Sequence, residues 1–135
     1  LYYLCGYEAW SFYVPQYLLV PGDGPMLWLG RDMDVAGARL TTWPGSVEIE
    51  GYPDHYVQAA DRHPADLLAD RLRRRGLSDG RIGLELGDYY LTATGFIRLQ
   101  AANDSGDLND LREFTTPELF AAIRLELQER GATVQ

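Results

Sequence analysis

Two apolar runs of four residues, Tyr17–Val20 and Met26–Leu29, flank the turn sequence Pro21-Gly-Asp-Gly-Pro25. Runs of strand length around a Gly/Pro turn of five residues read as a β-hairpin. The later segments alternate in type. Asp34–Thr41 suits a short helix, and Val47-Glu-Ile-Glu50 alternates as a strand with one wet face. Gly51–Arg62 carries few periodic signals and reads as a loop. His63-Pro64 then opens the clearest helix, with Pro at its first position, Leu67, Leu68 and Leu72 as its buried stripe, and Gly76 as its stop. Arg81–Leu86 reads as a strand. Tyr89–Ala102 has mostly helical spacing, interrupted by Gly95. Asn103–Asp110 is a polar, acidic linker, and Thr116-Pro117-Glu118 starts a last helix that runs to Gly131. A hairpin followed by alternating helices and strands implies one α/β domain, a mixed β-sheet flanked by helices.

At 135 residues the chain has length for one domain and one core. Its net charge is −8, and all 12 of its basic residues are Arg. Scattered Arg on an acidic chain makes a poor binder of nucleic acid or of an anionic membrane, because phosphate neutralisation needs a concentrated basic face. The one basic run, Arg73–Arg75, falls in the last turn of a helix and complements its dipole. No apolar run approaches the ~20 residues of a membrane-spanning helix. The single cysteine, Cys5, excludes an internal disulfide and reads as a small buried hydrophobe. Without disulfides or an export signal, the expected location is the cytoplasm. The opening Leu-Tyr-Tyr-Leu reads as the interior of an element, so the natural beginning of the chain is expected to lie elsewhere.

The common catalytic signatures are missing: the chain has no dinucleotide-binding glycine fingerprint, no phosphate loop and no nucleophile elbow. The two histidines, His55 and His63, lack the i, i+4 spacing that grips zinc on one helix. A site built from Asp54, His55 and His63 is one reading. The simpler one makes His63 a helix start and His55 a loop residue. Two aperiodic segments remain, Gly6–Gln16 and Gly51–Gln58, both mixing aromatic with polar side chains. Aromatics near strands ordinarily pack as core. The alternative is a wall for a small cationic or zwitterionic ligand, since ring faces attract delocalised cations by about 0.5–2 kcal/mol. On that alternative the two segments lie together on one side of the sheet, with Trp10, Tyr13, Asp54, His55 and Tyr56 accessible. Trp28 and Trp43 either fill the core or add exposed apolar surface.

Tyr2-Tyr3-Leu4-Cys5-Gly6-Tyr7 resembles a stretch of the creatinase and aminopeptidase P amino-terminal domain. Trp10–Tyr13, Gly30–Asp34 with Gly37-Ala38, Gly51–Gln58 and Arg62-His63-Pro64 resemble the ectoine-hydrolase branch of that pita-bread metallopeptidase family. The likeness covers about Leu1–Gln100. Beyond it, Arg112–Arg124 resembles the family's hinge, with Thr115 where Lys is usual. Phe114–Gly131 also resembles the family's opening helix. The resemblance implies a creatinase-type domain over residues 1–111, lacking the family's first helix and strand, and a hinge with a terminal helix over 112–135.

The implications for chemistry are indirect. The family's reaction uses two divalent metals (Mn, Co or Zn) in a carboxy-terminal domain, so this chain is expected to carry no catalytic residue, metal or cofactor of its own. The parent protein is expected to be a metal-dependent hydrolase of the amidohydrolase or aminopeptidase P class. The implied role is substrate recognition and oligomer assembly, with the catalytic domain, a second subunit and a small zwitterion as partners. Nucleic acid and membrane are not expected partners. Candidate substrate-binding residues are Trp10, Phe12, Tyr13, Arg31, Asp54, His55 and Tyr56. Aromatic faces suit an amidinium, and the fork of Arg31 suits a carboxylate. A structural pair of Arg31 with Asp32 or Asp34 is the equal alternative. The other reading of the whole chain is a freestanding binding module for a small zwitterion.

Overall fold

The computed structural model describes residues 1–11, 13–87 and 90–103. The linker, hinge and terminal helix expected beyond Asn103 lie outside the described residues. Within them, a mixed three-stranded sheet is flanked by helices, the α/β arrangement expected from the sequence. Its strands β1 (Tyr17–Leu19), β2 (Met26–Arg31) and β3 (Val47–Tyr52) lie in that spatial order. β1 and β2 form the antiparallel hairpin, with Tyr17 opposite Leu29. β2 and β3 are parallel, with Met26 opposite Val47 and Arg31 opposite Tyr52. Between those two strands the chain makes a 3-10 turn at Asp32–Asp34 and helix α2 (Val35–Thr41). A parallel pair requires such a crossover.

Both faces of the sheet are covered. The short opening helix α1 (Tyr2–Cys5) and α2 cover one face, where Cys5, Tyr7, Trp28 and Ala38 form a buried cluster. Helices α3 (Pro64–Arg74) and α4 (Ala93–Asn103) supply the other, where Leu29 and Tyr52 pack on Ala65, Leu68, Leu72 and Leu99. β2 is therefore buried on both sides from Leu27 to Gly30, as a central strand should be. Cys5 is fully buried, as the sequence implied, and so is Trp28. Trp43 is half exposed and lies over Gly6, where a Cβ would come within 2.6 Å of its indole nitrogen.

Helix α3 follows its sequence signals closely. Pro64 occupies the first turn, and Gly76 adopts φ +66° just past the end. The Leu77 amide donates to the Leu72 carbonyl at 2.9 Å, closing the helix. Leu68 and Leu72 are buried, while Leu67 is half-buried. The terminal arginines do more than complement a dipole. Arg74 pairs with Asp70, and Arg75 reaches both Glu48 on β3 and the Pro25 carbonyl of the hairpin turn.

The cap of α3 carries a pH dependence. His63 Nδ1 accepts from the Ala65 amide at 3.1 Å, and the Asp66 carboxylate accepts from the His63 amide at 2.9 Å. Asp66 also accepts from Arg98 of α4 at 2.7 Å. Burial, with Arg98 nearby, lowers the His63 pKa against the opposing pull of Asp66. A protonated imidazole has no lone pair to accept with. This contribution to stability is therefore present above about pH 6.5, the unfolded value. It is lost as pH falls through the lowered folded value. Melting temperature measured between pH 7.5 and 5 should fall, and His63→Asn, a cap that does not titrate, should flatten that slope. An unchanged slope in His63→Asn would remove His63 as its cause.

Two segments differ from expectation. Arg81–Leu86 is not a strand: among the described residues no backbone hydrogen bond joins 81–85 to the sheet. Its alternation nevertheless survives as burial, with Ile82 and Leu84 half-buried against the core and their neighbours exposed. Helix α4 begins at Ala93 rather than Tyr89, because the Thr92 hydroxyl accepts from the Gly95 amide at 3.1 Å and starts the helix there. No helix among the described residues is long and apolar enough to cross a membrane.

Candidate functional site

The parallel register of β2 and β3 sets the geometry. Arg31 ends β2 and Tyr52 ends β3, side by side at the carboxyl edge of the pair. β1 runs the other way, so its first residue, Tyr17, sits at the same edge. The segment 6–16 thus enters the sheet where the segment 51–58 leaves it. A direct bond joins them: the Tyr52 hydroxyl donates to the Pro15 carbonyl at 2.6 Å. Burial pushes the Tyr52 phenol well above its ordinary pKa, so the donated proton is retained. The expectation that the two segments lie together is met.

Within 51–58, Pro53 leads into a 3-10 turn at Asp54–Tyr56. Asp54 takes Arg31 in a two-pronged pair, Nε to Oδ1 at 2.6 Å and Nη2 to Oδ2 at 3.2 Å. The hydrogen bond from Arg31 holds the Asp54 carboxyl below its usual range, and the same bond raises the guanidinium. Arg31 is thus oriented by Asp54 rather than by Asp32 or Asp34. The pair uses two of the five N–H groups that a guanidinium carries. The His55 and Tyr56 rings lie 4.9 Å apart, and Tyr56 meets the edge of Tyr52 at 6.4 Å.

Within 6–16, Ser11 is buried and its hydroxyl donates to the Val14 carbonyl at 2.8 Å, tying a tight turn. Tyr13 lies inside that turn at φ +58°. Gln58, at the end of the other segment, stands at φ +54°. Outside glycine these are the positive-φ positions of the described residues, one in each segment. A left-handed backbone costs an L-residue about 1–2 kcal/mol, and such strain gathers where loops are shaped for use. Trp10 and Tyr13 are 72% and 71% exposed, and Asp54 and His55 are exposed as well. Tyr56 is half-buried. Phe12 lies outside the described residues.

The structure does not bring Asp54, His55 and His63 together as ligands. His63 Nδ1 is used by its own helix, and no cluster of three His, Cys, Asp or Glu side chains that could hold a metal occurs among the described residues. Sequence reasoning missed the Tyr52–Pro15 and Arg31–Asp54 links. It also missed Gln16 donating to the Tyr7 hydroxyl at 2.7 Å, which braces the first segment. These partners stand 37, 23 and 9 residues apart, and no local pattern reports them.

The creatinase/prolidase N-terminal domain model matches residues 1–125. The chain belongs to that family. Over 95 residues, 70% of this chain and 24% of the relative, the domain is 45% identical to ectoine hydrolase of Halomonas elongata. Over 101 residues, 74% of this chain and 26% of the relative, it is 44% identical to an uncharacterized hydrolase/peptidase of Sinorhizobium fredii. The domain spans about a quarter of the length of these curated relatives.

Proposed function

We propose that the domain is the non-catalytic substrate-recognition and assembly part of a metal-dependent hydrolase of the ectoine-hydrolase or Xaa-Pro peptidase kind. The observation that carries this is the convergence of the two aromatic-polar segments at one edge of the sheet, tied by Tyr52 and Pro15. The substrate in this reading is a small zwitterion. Exposed rings of Trp10 and Tyr13 in one segment, and the rings of His55 and Tyr56 in the other, offer faces to its cationic part. Arg31, aimed by Asp54, offers its remaining donors to its carboxylate. Phe12 is a candidate for the same role from its sequence neighbourhood alone. The reaction itself, with two divalent metals (Mn, Co or Zn), belongs to a catalytic domain outside this chain, in a cytoplasmic enzyme. Assembly with that domain and a second subunit fits the large apolar side chains left in water on α1 and α2, Tyr3 and Leu40.

The test uses both lengths of the protein. Residues 1–135 alone should show no amide or peptide hydrolysis with or without added Mn, Co or Zn. They should bind a free zwitterion no more tightly than about 1 mM, since half a wall leaves most of the ligand in water. In the longer protein, Trp10→Ala and His55→Ala should each lower kcat/KM about tenfold, roughly 1.4 kcal/mol, and leave metal content intact. Loss of metal in those variants would assign the domain a different role. Metal-dependent turnover by residues 1–135, abolished by His55→Ala, would make it an enzyme in its own right. Tight binding by residues 1–135 would favour the freestanding module.

A further inference from the structure

Asp23 and Gly24 lie in the turn between β1 and β2, at the end of β2 away from Arg31. Gly22, Asp23, Gly24 and Pro25 are all exposed. Among the described residues no backbone–backbone hydrogen bond holds Gly22, Asp23 or Gly24. The Gly24 amide instead donates to the preceding side chain, Asp23 Oδ1, at 3.1 Å. That oxygen is one bond from the carboxyl carbon, so the nitrogen of residue 24 already lies beside an electrophile. Gly24 adopts φ +88°, and a Cβ there would meet nothing within 4 Å. With no side chain at 24, nothing shields the nitrogen or resists the rotation that brings it onto the carbon.

Asp-Gly occurs a second time, at Asp79-Gly80, and that pair is exposed as well. There the carboxylate accepts from the Ser78 hydroxyl at 3.1 Å, and among the described residues no hydrogen bond from the Gly80 amide reaches it. A Cβ on Gly80 would lie 3.8 Å from the Leu77 carbonyl oxygen, so chain backs this turn where Gly24 faces open space. Sequence marks the two pairs equally. Geometry separates them.

We propose that Asp23 is a site of spontaneous isomerisation to isoaspartate, with the Gly24 amide nitrogen as nucleophile and solvent water as the co-reactant. The nitrogen attacks Cγ of the protonated Asp23 carboxyl. An N–C bond forms, the Cγ–OH bond breaks, and the amide proton leaves with the hydroxyl as water. The product is a succinimide ring spanning residues 23 and 24. Water then opens the ring at one of its two carbonyls. Attack at Cγ restores aspartate. Attack at the main-chain carbonyl carbon breaks its bond to the Gly24 nitrogen and leaves the chain running through Cβ and Cγ, with a free α-carboxylate. No atom is gained or lost overall, and nothing is oxidised or reduced. A nucleophile held against the carboxyl is spared the search through the conformations of a free turn. The added methylene falls shortly before Pro25, whose carbonyl accepts from Arg75 at 2.9 Å, so the modified turn also meets α3 differently. None of this depends on the substrate wall.

The test keeps residues 1–135 at physiological temperature and mildly acidic pH for several weeks. Proteolytic fragments are then read by electron-transfer mass spectrometry, which separates isoaspartate from aspartate. The expected result is isoaspartate at 23, with a succinimide lighter by one water, at least about tenfold ahead of position 79, a small part of what a held nucleophile can give. In urea the two positions should draw level. Asp23→Glu, which would need a larger ring, should lose the product at 23 while keeping its melting temperature. An isoaspartyl carboxyl methyltransferase with labelled S-adenosylmethionine gives an independent count, and Asp23→Glu should remove most of that label. Equal accumulation at 23 and 79 in the folded chain would overturn the proposal, as would absence of isoaspartate at 23. A lead at 23 that persisted in urea would also overturn it, since sequence and not the folded turn would then select the site.

Discussion

Trp28→Ala should lose about 3–5 kcal/mol of folding stability, the range for truncating a large buried aromatic. A domain of this size commonly has only about 5–15 kcal/mol in total. The indole is fully buried on the central strand and sits 5.2 Å from the Tyr7 ring. It also fills the space above Gly30, where a Cβ would lie 2.3 Å from the indole carbons. Its removal opens a void between β2, the 6–16 segment and α2, and a backbone on three sides collapses only in part. The measurement is urea unfolding followed by far-ultraviolet circular dichroism. Trp28→Phe should lose much less. It keeps an aromatic ring in the gap and removes a buried indole N–H that has no partner among the described residues, a group whose burial itself costs about 1–3 kcal/mol. A loss below about 1 kcal/mol for Trp28→Ala would mean that the cluster around Cys5, Tyr7 and Ala38 can close on itself.

Local chemistry was the legible part of the sequence. The Gly/Pro turn after Tyr17–Val20 and the Pro64 and Gly76 punctuation of α3 each act within a few residues, and the structure follows them. Where pairing depends on a remote neighbour, the pattern stops short. The alternation of Arg81–Leu86 reports correctly that Ile82 and Leu84 face inward, while Leu86 is exposed; a ladder needs a second backbone, and none of the described segments supplies it. The start of α4 shows a weaker signal being overridden: spacing alone places it at Tyr89, while the hydroxyl of Thr92 decides it. For the site, composition marked out the two segments. The bonds that join and aim them, Tyr52 to Pro15 and Asp54 to Arg31, arise from strand register, which no single segment encodes.

That register has a second consequence, in the pairing of Gly30 with Gly51. Gly51→Ala should cost about 1–3 kcal/mol, the usual range for forcing a methyl into a filled space. A Cβ at Gly51 would lie 2.1 Å from Asp32 Oδ1, 2.8 Å from Val35 Cγ2 and 3.0 Å from Asp32 Cα. The carboxylate can swing away, but the backbone carbon belongs to the turn that starts α2 and cannot. Asp32→Ala in the Gly51→Ala background should therefore recover part of the loss. Adding Val35→Ala should recover more, and the clash with the Asp32 backbone should leave a remainder. The effect also reaches the site. Asp32 follows Arg31 directly, and Gly51 precedes Asp54 by three residues, so the close approach of Gly51 to Asp32 draws the two ends of the 2.6 Å ion pair together. Separating β3 from that turn should loosen the pair. The Asp54 carboxyl, held low mainly by its bond from Arg31, should then titrate closer to its ordinary value. Carbon-detected NMR of Asp54 across pH 2–6, with about 3.9 as the unperturbed reference, reads this directly. An Asp54 titration unchanged by Gly51→Ala, alongside the loss of stability, would show that the pair does not depend on this packing and that the turn at Asp54–Tyr56 holds it alone.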